Sequence, residues 1–430
     1  MRLFFASAIL CLSSTIFAAQ QEFDAEIDAL IGPLVEERLI PGYYVAVYGN
    51  NGLLFEKSSG LADDRSALPH GEDVLYFVES MSKPLTGLLM IRLQEQGKLR
   101  FDDPVDKYLP EFAGLTVLAS DATDTAPARS SAKVTIQQLL THTSGFTNST
   151  ATGANPVVNR YRMQRVMTRN SIVNSKLGDL SGQVAKLAEF PLVFDPGSRF
   201  EYSVGYDIAG RIAEIVTGKD LAEAMHDLVF APLGMRDSYF RVPETKHARM
   251  AQLYGPHGRT YQVPGKPKRY RKYSGIPKTQ TNFGQSTGGY FSGTTGVLTT
   301  PRDYSQLLRL ILNDGRVNGK QWLSKAGLQR LTANQLPAHV EPASVSASLP
   351  SITDSGYSFG LAVKVGTGEG VQVDSPSNYL YWASAANTQF FVDAEAGLAA
   401  MVITQHIPAR YFFVDRLRAL AIEHFDRQTP

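Results

Sequence analysis

Ser80 and Lys83 stand three residues apart in Phe77-Val78-Glu79-Ser80-Met81-Ser82-Lys83-Pro84. The apolar run Leu85–Gln94 follows and reads as a buried helix that stops at Gly97. Pro84 falls in its first turn, where a missing N–H costs nothing. At the start of that helix Ser80 and Lys83 share one face. A hydroxyl beside an amine at the positive end of a helix dipole is a plausible activated nucleophile, because the dipole favours the neutral amine that takes the serine proton. The spacing alone is a weak signal. Ser130 and Lys133 repeat it in a Ser/Thr/Ala/Asp-rich stretch that reads as a surface loop. Gly284-Gln285-Ser286-Thr287-Gly288 offers another serine, in the form of an α/β-hydrolase elbow with His406 or His424 as a later base. That elbow needs a strand before it and a helix after it. Here a basic loop precedes, and a Gly/Thr-rich, strand-like segment follows, so the context favours Ser80.

The elements around these residues describe a mixed protein. From 23 to 39 an apolar stripe reads as a helix, interrupted at Gly32-Pro33. Tyr43–Tyr48 and Leu53–Lys57 read as strands, with Asn50-Asn51-Gly52 as the hairpin turn. Residues 113–133 read as a loop. Thr135 and Gln138 form a capping box, with Val134 and Leu139 as its hydrophobic staple. Helices are expected within 160–190, at Asp207–Val216, Leu221–Val229, Tyr304–Leu312 and Val414–Phe425, and strands at Tyr357–Val365, Tyr379–Ala383, Thr388–Val392 and Leu398–Thr404. Long loops are expected at 255–284 and 336–356. Strands at both ends with helices between them imply an antiparallel sheet closed by the two chain ends, over 22–78 and 285–426. A mainly helical lobe over 79–284 completes one catalytic domain of α/β (α+β) class.

Length and composition bound the function. At 430 residues the chain holds two to three domain-sized units or one composite domain, and its charge is balanced at 42 basic against 41 acidic residues. No global charge draws it to nucleic acid or membrane. Residues 1–18 read as a signal peptide: Arg2, an apolar Leu3–Leu12, and small residues Ala18 and Ala19 at the cleavage site. The apolar run falls short of a membrane span, and Leu10 before Cys11 is a poor lipoprotein signal. Cys11 is the only cysteine, so the mature chain is expected to lack disulfides and thiolate metal sites. The eight histidines show no paired ligand spacing, and neither a metal nor a cofactor is expected.

Together, Ser80-Met81-Ser82-Lys83, Leu139-Leu140-Thr141-His142-Thr143-Ser144-Gly145, Tyr202-Ser203-Val204 after Pro196-Gly197, Gly288-Gly289-Tyr290-Phe291-Ser292 and Trp382-Ala383-Ser384 resemble the motifs of the serine β-lactamase and penicillin-binding-protein superfamily. The likeness is to its class C β-lactamase-like branch of carboxylesterases and D-amino-acid peptidases, and it spans about Phe23 to Phe425. It implies a β-lactamase/transpeptidase-like fold and an acyl-enzyme on Ser80. Lys83 and Tyr202 would share the general-base role, with Lys83 as the cation a tyrosine base needs. The backbone N–H groups of Ser80 and of Ala385, on an edge strand, would form the oxyanion hole.

Three positions depart from the pattern. Val204 stands where the second motif usually carries Asn. Trp382 and Ser384 stand where the third carries Lys or His and then Gly. An indole cannot hold a substrate carboxylate as an ammonium does, but it can line an apolar pocket. Val204, Trp382 and Ser384 are thus expected at the substrate, with Ser384 bearing on how closely it approaches the strand, and His142 is expected to be a hydrogen-bonded structural residue. The expectation is an exported, periplasmic or secreted, esterase acting on small neutral esters, free of nucleic acid and of a transmembrane span. The alternatives are a D-amino-acid peptidase or carboxypeptidase, a weak β-lactamase, or a non-catalytic envelope-binding protein. The basic, tyrosine-bearing stretch 256–278 reads as a solvated loop open to an anionic envelope polymer.

Overall fold

The computed structural model of the protein describes residues 20–119, 127–151, 155–168, 175–256, 261–262, 269–270, 273–275, 290–341, 345, 355–364 and 379–425. The signal-like segment, the Gly284–Gly288 elbow and most basic residues of 256–278 lie outside them. Within the last stretch, Tyr254–Pro256 pairs with Tyr273–Gly275, and Tyr261–Gln262 with Arg269–Tyr270. The expected loop therefore carries short antiparallel ladders, as does the stretch at 113–133, where Thr116–Leu118 pairs with Pro127–Ser130.

The first helix, α1, covers residues 20–36 and runs through Gly32-Pro33 without the expected interruption. Pro33 removes one helix donor near the end, while buried Ile27 and Ile31 hold the preceding turns against the core. The strands β1 (Gly42–Gly49) and β2 (Gly52–Asp63) follow, joined at Gly52, whose φ of +137° suits glycine. β3 is the short Leu68–Pro69. Then come the helices α2 (Ser82–Glu95), α3 (Ile136–Leu140), α4 (Gly205–Thr217) and α5 (Pro301–Leu312). The capping box of Thr135 and Gln138 starts α3. The C-terminal part supplies β4 (Ser355–Tyr357), β5 (Ala362–Lys364), β6 (Tyr379–Ala383), β7 (Thr388–Asp393), β8 (Leu398–Ile403) and α6 (Val414–Phe425).

These strands form one antiparallel sheet in the order β4-β5-β6-β7-β8-β1-β2-β3. The first and last strands of the sequence pattern therefore meet in the middle, where β1 pairs with β8 from Tyr44–Ile403 to Gly49–Leu398. β1, β7 and β8 are buried at every residue because both sheet faces are covered, and β1 and β8 accordingly read as near-continuous apolar runs. Side chains alternate between those faces. On one, Tyr379 donates to Asp415 and Arg418 pairs with Asp393, seating α6. On the other, Phe390 meets Tyr304 of α5, and Trp382 reaches the start of α2. The chain ends are tied by Phe23 against Phe425 and by His424 at 3.0 Å from Glu26. Glu26, Glu423 and His424 are also the one group among the described residues whose carboxylate and imidazole atoms gather within 4.8 Å. Among the described residues no helix is long and apolar enough to cross a membrane.

One expectation fails instructively. Tyr357–Val365 reads as a single strand, but it is a hairpin of β4 and β5, turning at Ser358–Leu361. Gly360 takes a φ of +103° there, and a Cβ on it would come within 2.5 Å of the Pro84 nitrogen. Gly87 answers from α2, where a Cβ would meet the Phe359 carbonyl at 2.2 Å. Two glycines thus let the hairpin tip press backbone to backbone on the first turn of α2. β5 also pairs with β6 at Tyr379–Tyr381, so over those residues β6 is an inner strand rather than the expected edge strand.

Candidate active site

Ser80 lies in a single 3₁₀ turn, Glu79–Met81, that runs straight into α2. Glu79 has a left-handed φ of +45°, uncommon outside glycine, so the chain is bent sharply just before the serine. The bend is held from several distant places. Trp382 donates its indole N–H to the Ser80 carbonyl at 2.9 Å, and Tyr304 its hydroxyl to the Met81 carbonyl at 3.0 Å. The Ser82 hydroxyl accepts from Val297 N at 3.0 Å. Upstream, the Gln405 amide brackets the Phe77 backbone, accepting from its N–H and donating to its carbonyl.

Lys83, one turn on, is fully buried. Its Nζ sits 3.2 Å from Ser80 Oγ and 3.0 Å from the Thr294 carbonyl. Burial pulls its ammonium down to about 7, against the opposing pull of the Asp207 and Glu79 carboxylates. Tyr202 comes from a separate segment and donates to Ser80 Oγ at 2.9 Å. Burial pushes its phenol well above the ordinary tyrosine range. The resemblance implies a base role shared between the two. Both shifts favour the neutral forms, so near neutral pH Tyr202 keeps its proton while a substantial fraction of Lys83 is the free amine.

The Leu139–Gly145 motif is the template on which Tyr202 is laid. His142, itself at φ +56°, accepts the Glu201 N–H on its carbonyl and the Ser203 N–H on Nδ1 at 3.1 Å. Its ring lies 4.6 Å from that of Tyr202. Burial, and then the nearby Lys83, hold His142 well below the usual imidazole value, so it stays neutral. Thr147 accepts the Val204 N–H on its carbonyl, and Asn148 donates its amide to the Tyr202 carbonyl at 2.5 Å. Gly205 starts α4 within 2.3 Å, Cβ to oxygen, of where Leu139 would block any larger residue.

The other expected site residues are placed differently. Trp382 is 2% exposed, and its polar edge is spent on the Ser80 carbonyl rather than on an open pocket wall. Val204 packs into the apolar core at the N-cap of α4, away from solvent. Ser384 is buried, and its hydroxyl closes the turn after β6, with Thr388 Oγ1 at 2.7 Å and the Ala386 N–H donating at 3.1 Å. Its side chain folds into the turn. Ala385 is exposed in that same turn, past the end of β6 at Ala383. Thr294, the bond from the motif residue Ser292 to Asp207 and the role of Asp207 appear only in the structure. Only the buried position of a carboxylate on an otherwise apolar helix face hints at Asp207.

A half-buried serine met by a lysine of its own helix and a tyrosine of another segment, between an antiparallel sheet and a helical layer, defines a serine hydrolase of the β-lactamase fold. The chain belongs to the Beta-lactamase family, which matches it over residues 27–423. Esterase EstB of Burkholderia gladioli is 29% identical to it over 391 residues, covering 88% of this chain and 90% of that protein. Lovastatin esterase of Penicillium rubens is 32% identical over 184 residues, 42% of this chain and 43% of that one. The simvastatin synthase LovD of Aspergillus terreus superposes with a TM-score of 0.73 at 21% identity, covering 94% of this chain and 98% of that one, a likeness of fold.

Proposed function

We propose that the protein is an exported hydrolase of small, neutral carboxylic esters, working through an acyl-enzyme on Ser80. The observation that carries this reading is the placement of Ser80 Oγ between Lys83 Nζ and Tyr202 Oη, with a buried indole at 382 in place of a cation. Neutral Lys83 takes the Ser80 proton as Oγ bonds to the carbonyl carbon. The N–H groups of Ser80 and Ala385 hold the oxyanion, each worth ~2.7–4 kcal/mol of barrier. The C–O bond then breaks, the leaving alkoxide takes the Tyr202 proton, and the Lys83 ammonium restores it. Water repeats the sequence on the acyl group and frees Ser80. The absence of a cation at 382 favours a neutral substrate over a β-lactam or peptide carboxylate. The relation to EstB and lovastatin esterase supports ester chemistry, and the charged-then-apolar stretch 1–18 supports export. The basic stretch 256–278 supports contact with an anionic envelope polymer, to be checked by salt-sensitive retention on such a polymer.

The test is peptide mapping after a fluorophosphonate probe, beside turnover of short p-nitrophenyl esters and of nitrocefin. A label on Ser80 with ester turnover and little nitrocefin cleavage is expected, and Ser80→Ala should fold yet lose both label and turnover. Strong nitrocefin turnover would instead return the protein to the β-lactamases. An unlabelled, inactive protein would favour the binding role.

A further inference from the structure

The ester mechanism uses no carboxylate, yet one is buried against its machinery. Asp207, the third residue of α4, is 2% exposed. Burying a carboxylate is costly unless donors and a cation compensate it. Its Oδ1 accepts from Ser292 Oγ at 2.7 Å and from Thr294 N at 3.2 Å. Both donors belong to a tight turn over 292–296, closed by the Gly296 N–H on the Ser292 carbonyl. The turn is wedged between the two helices of the site. A Cβ on Gly293 would meet the Tyr206 carbonyl at 2.5 Å, and Thr86 of α2 donates to the Gly293 carbonyl at 2.7 Å. The next carbonyl, of Thr294, is the one that accepts from Lys83.

The groups around Lys83 can be named in full. Its own helix start presents Glu79 and Ser80, the 202–207 segment Tyr202 and Asp207, and the 139–145 segment neutral His142. The 292–296 turn presents a carbonyl, and β6 presents the indole of Trp382 on the Ser80 backbone. Among the described residues, only Glu79 and Asp207 bring carboxylates to Lys83. Tyr290 faces Asp207 from beyond the turn.

Resting on the ester-hydrolase reading, we propose that Asp207 is the positioning residue of this site: its carboxylate ties down the 292–296 turn so that the Thr294 carbonyl aims Lys83 at Ser80, and its charge governs how readily Lys83 releases its proton. Lys83 must be neutral to accept the serine proton, so kcat/KM rises with pH as Lys83 deprotonates. Asp207 favours the ammonium and holds that acid limb at higher pH. Removing its charge moves the limb down.

The experiment measures kcat and KM for a p-nitrophenyl ester from pH 5 to 10, with thermal unfolding, for the full-length wild type, Asp207→Asn, Asp207→Ala and Ser292→Ala. Asparagine keeps the acceptor and removes the charge. Its acid limb is expected about one pH unit lower, the low end of what an opposite charge does. Alanine should show the same displacement together with a fall in kcat of about tenfold or more, KM changing little, because the turn is released. Ser292→Ala keeps the charge. Its acid limb should stay in place while kcat falls. An Asp207→Asn enzyme that turns over ester with an unmoved acid limb overturns the proposal, leaving Asp207 a structural residue. If Asp207→Asn does not fold, Ser292→Ala decides: a wild-type kcat refutes the positioning. Ester turnover surviving in Ser80→Ala would refute the functional reading itself, which is a separate result.

Discussion

Replacing Lys83 by methionine is expected to abolish turnover and yet make the protein more stable at pH 7. The ammonium is buried and its proton equilibrium is pulled from 10.5 to about 7. In the unfolded chain it titrates normally. One pH unit of such a difference is about 1.36 kcal/mol, so at pH 7, with Lys83 half neutral in the fold, the native state is penalised by about 4 kcal/mol. Methionine fills a similar volume without that penalty. It leaves the Thr294 carbonyl without its donor, which costs about 1–3 kcal/mol. The net gain is about 1–3 kcal/mol. The sign follows from proton counts: between pH 7 and 10.5 the unfolded wild type binds the proton that the folded one has lost, so wild-type stability rises with pH across that window. The advantage of Lys83→Met should therefore shrink by about 3 kcal/mol between pH 7 and pH 10. Urea unfolding followed by the fluorescence of Trp322 and Trp382 reads it directly. A difference that is flat from pH 7 to 10 would refute the reasoning. Lys83 would then rest as an ordinary ammonium and could not be the base.

Three further outcomes follow from the same geometry. Trp382→Phe keeps the ring but removes the N–H that fixes the Ser80 carbonyl, so kcat should fall by about tenfold, the worth of one buried hydrogen bond, with KM little changed; an unchanged kcat would show that the indole only fills space. Gly360→Ala puts a Cβ 2.5 Å from the Pro84 nitrogen at a φ of +103°, and a thermal melt should show a loss of about 2 kcal/mol or more. Finally, His70 and His406 are buried with their imidazoles held down at about 3 and about 4. Because the unfolded chain binds protons that the fold refuses, stability is full above about pH 6.5 and should fall toward pH 4 by about 3 kcal/mol for each, partly offset by the buried carboxylates Asp207 and Asp303, whose proton affinity is raised; a urea midpoint constant from pH 7 to 4 would contradict this.

What was legible came from local rules. The turn at Gly52 follows from the φ a hairpin demands, the start of α3 from the reciprocal bonds of Thr135 and Gln138, and the bounds of α6 from its apolar spacing. The shared face of Ser80 and Lys83 follows from helix pitch. The failures have one cause. Tyr357–Val365 has strand composition throughout, and only the backbone of α2 pressing on Gly360 explains its turn. Gly32-Pro33 should break a helix, and packing of the residues around it overrides that preference. Position in a motif likewise says nothing of which way a side chain leaves the backbone, so the burial of Val204, Trp382 and Ser384 is legible only in the fold.

The sequence by itself determined which serine and lysine share a helix start, most of the helices and strands that flank them and the meeting of the two chain ends in one sheet, because period and turn chemistry are written within a few residues and the motifs keep their order along the chain. The tertiary structure alone decided the site's chemistry. Tyr202 lies 122 residues from Ser80, Thr294 is 211 from Lys83, and Trp382 is 302 from the serine whose carbonyl it holds. The apolar run after Lys83 says that its helix is buried, but not that residues hundreds of positions away will seal its ammonium from water. Folding removes that water, and with the solvent gone the lysine gives up its proton near neutrality.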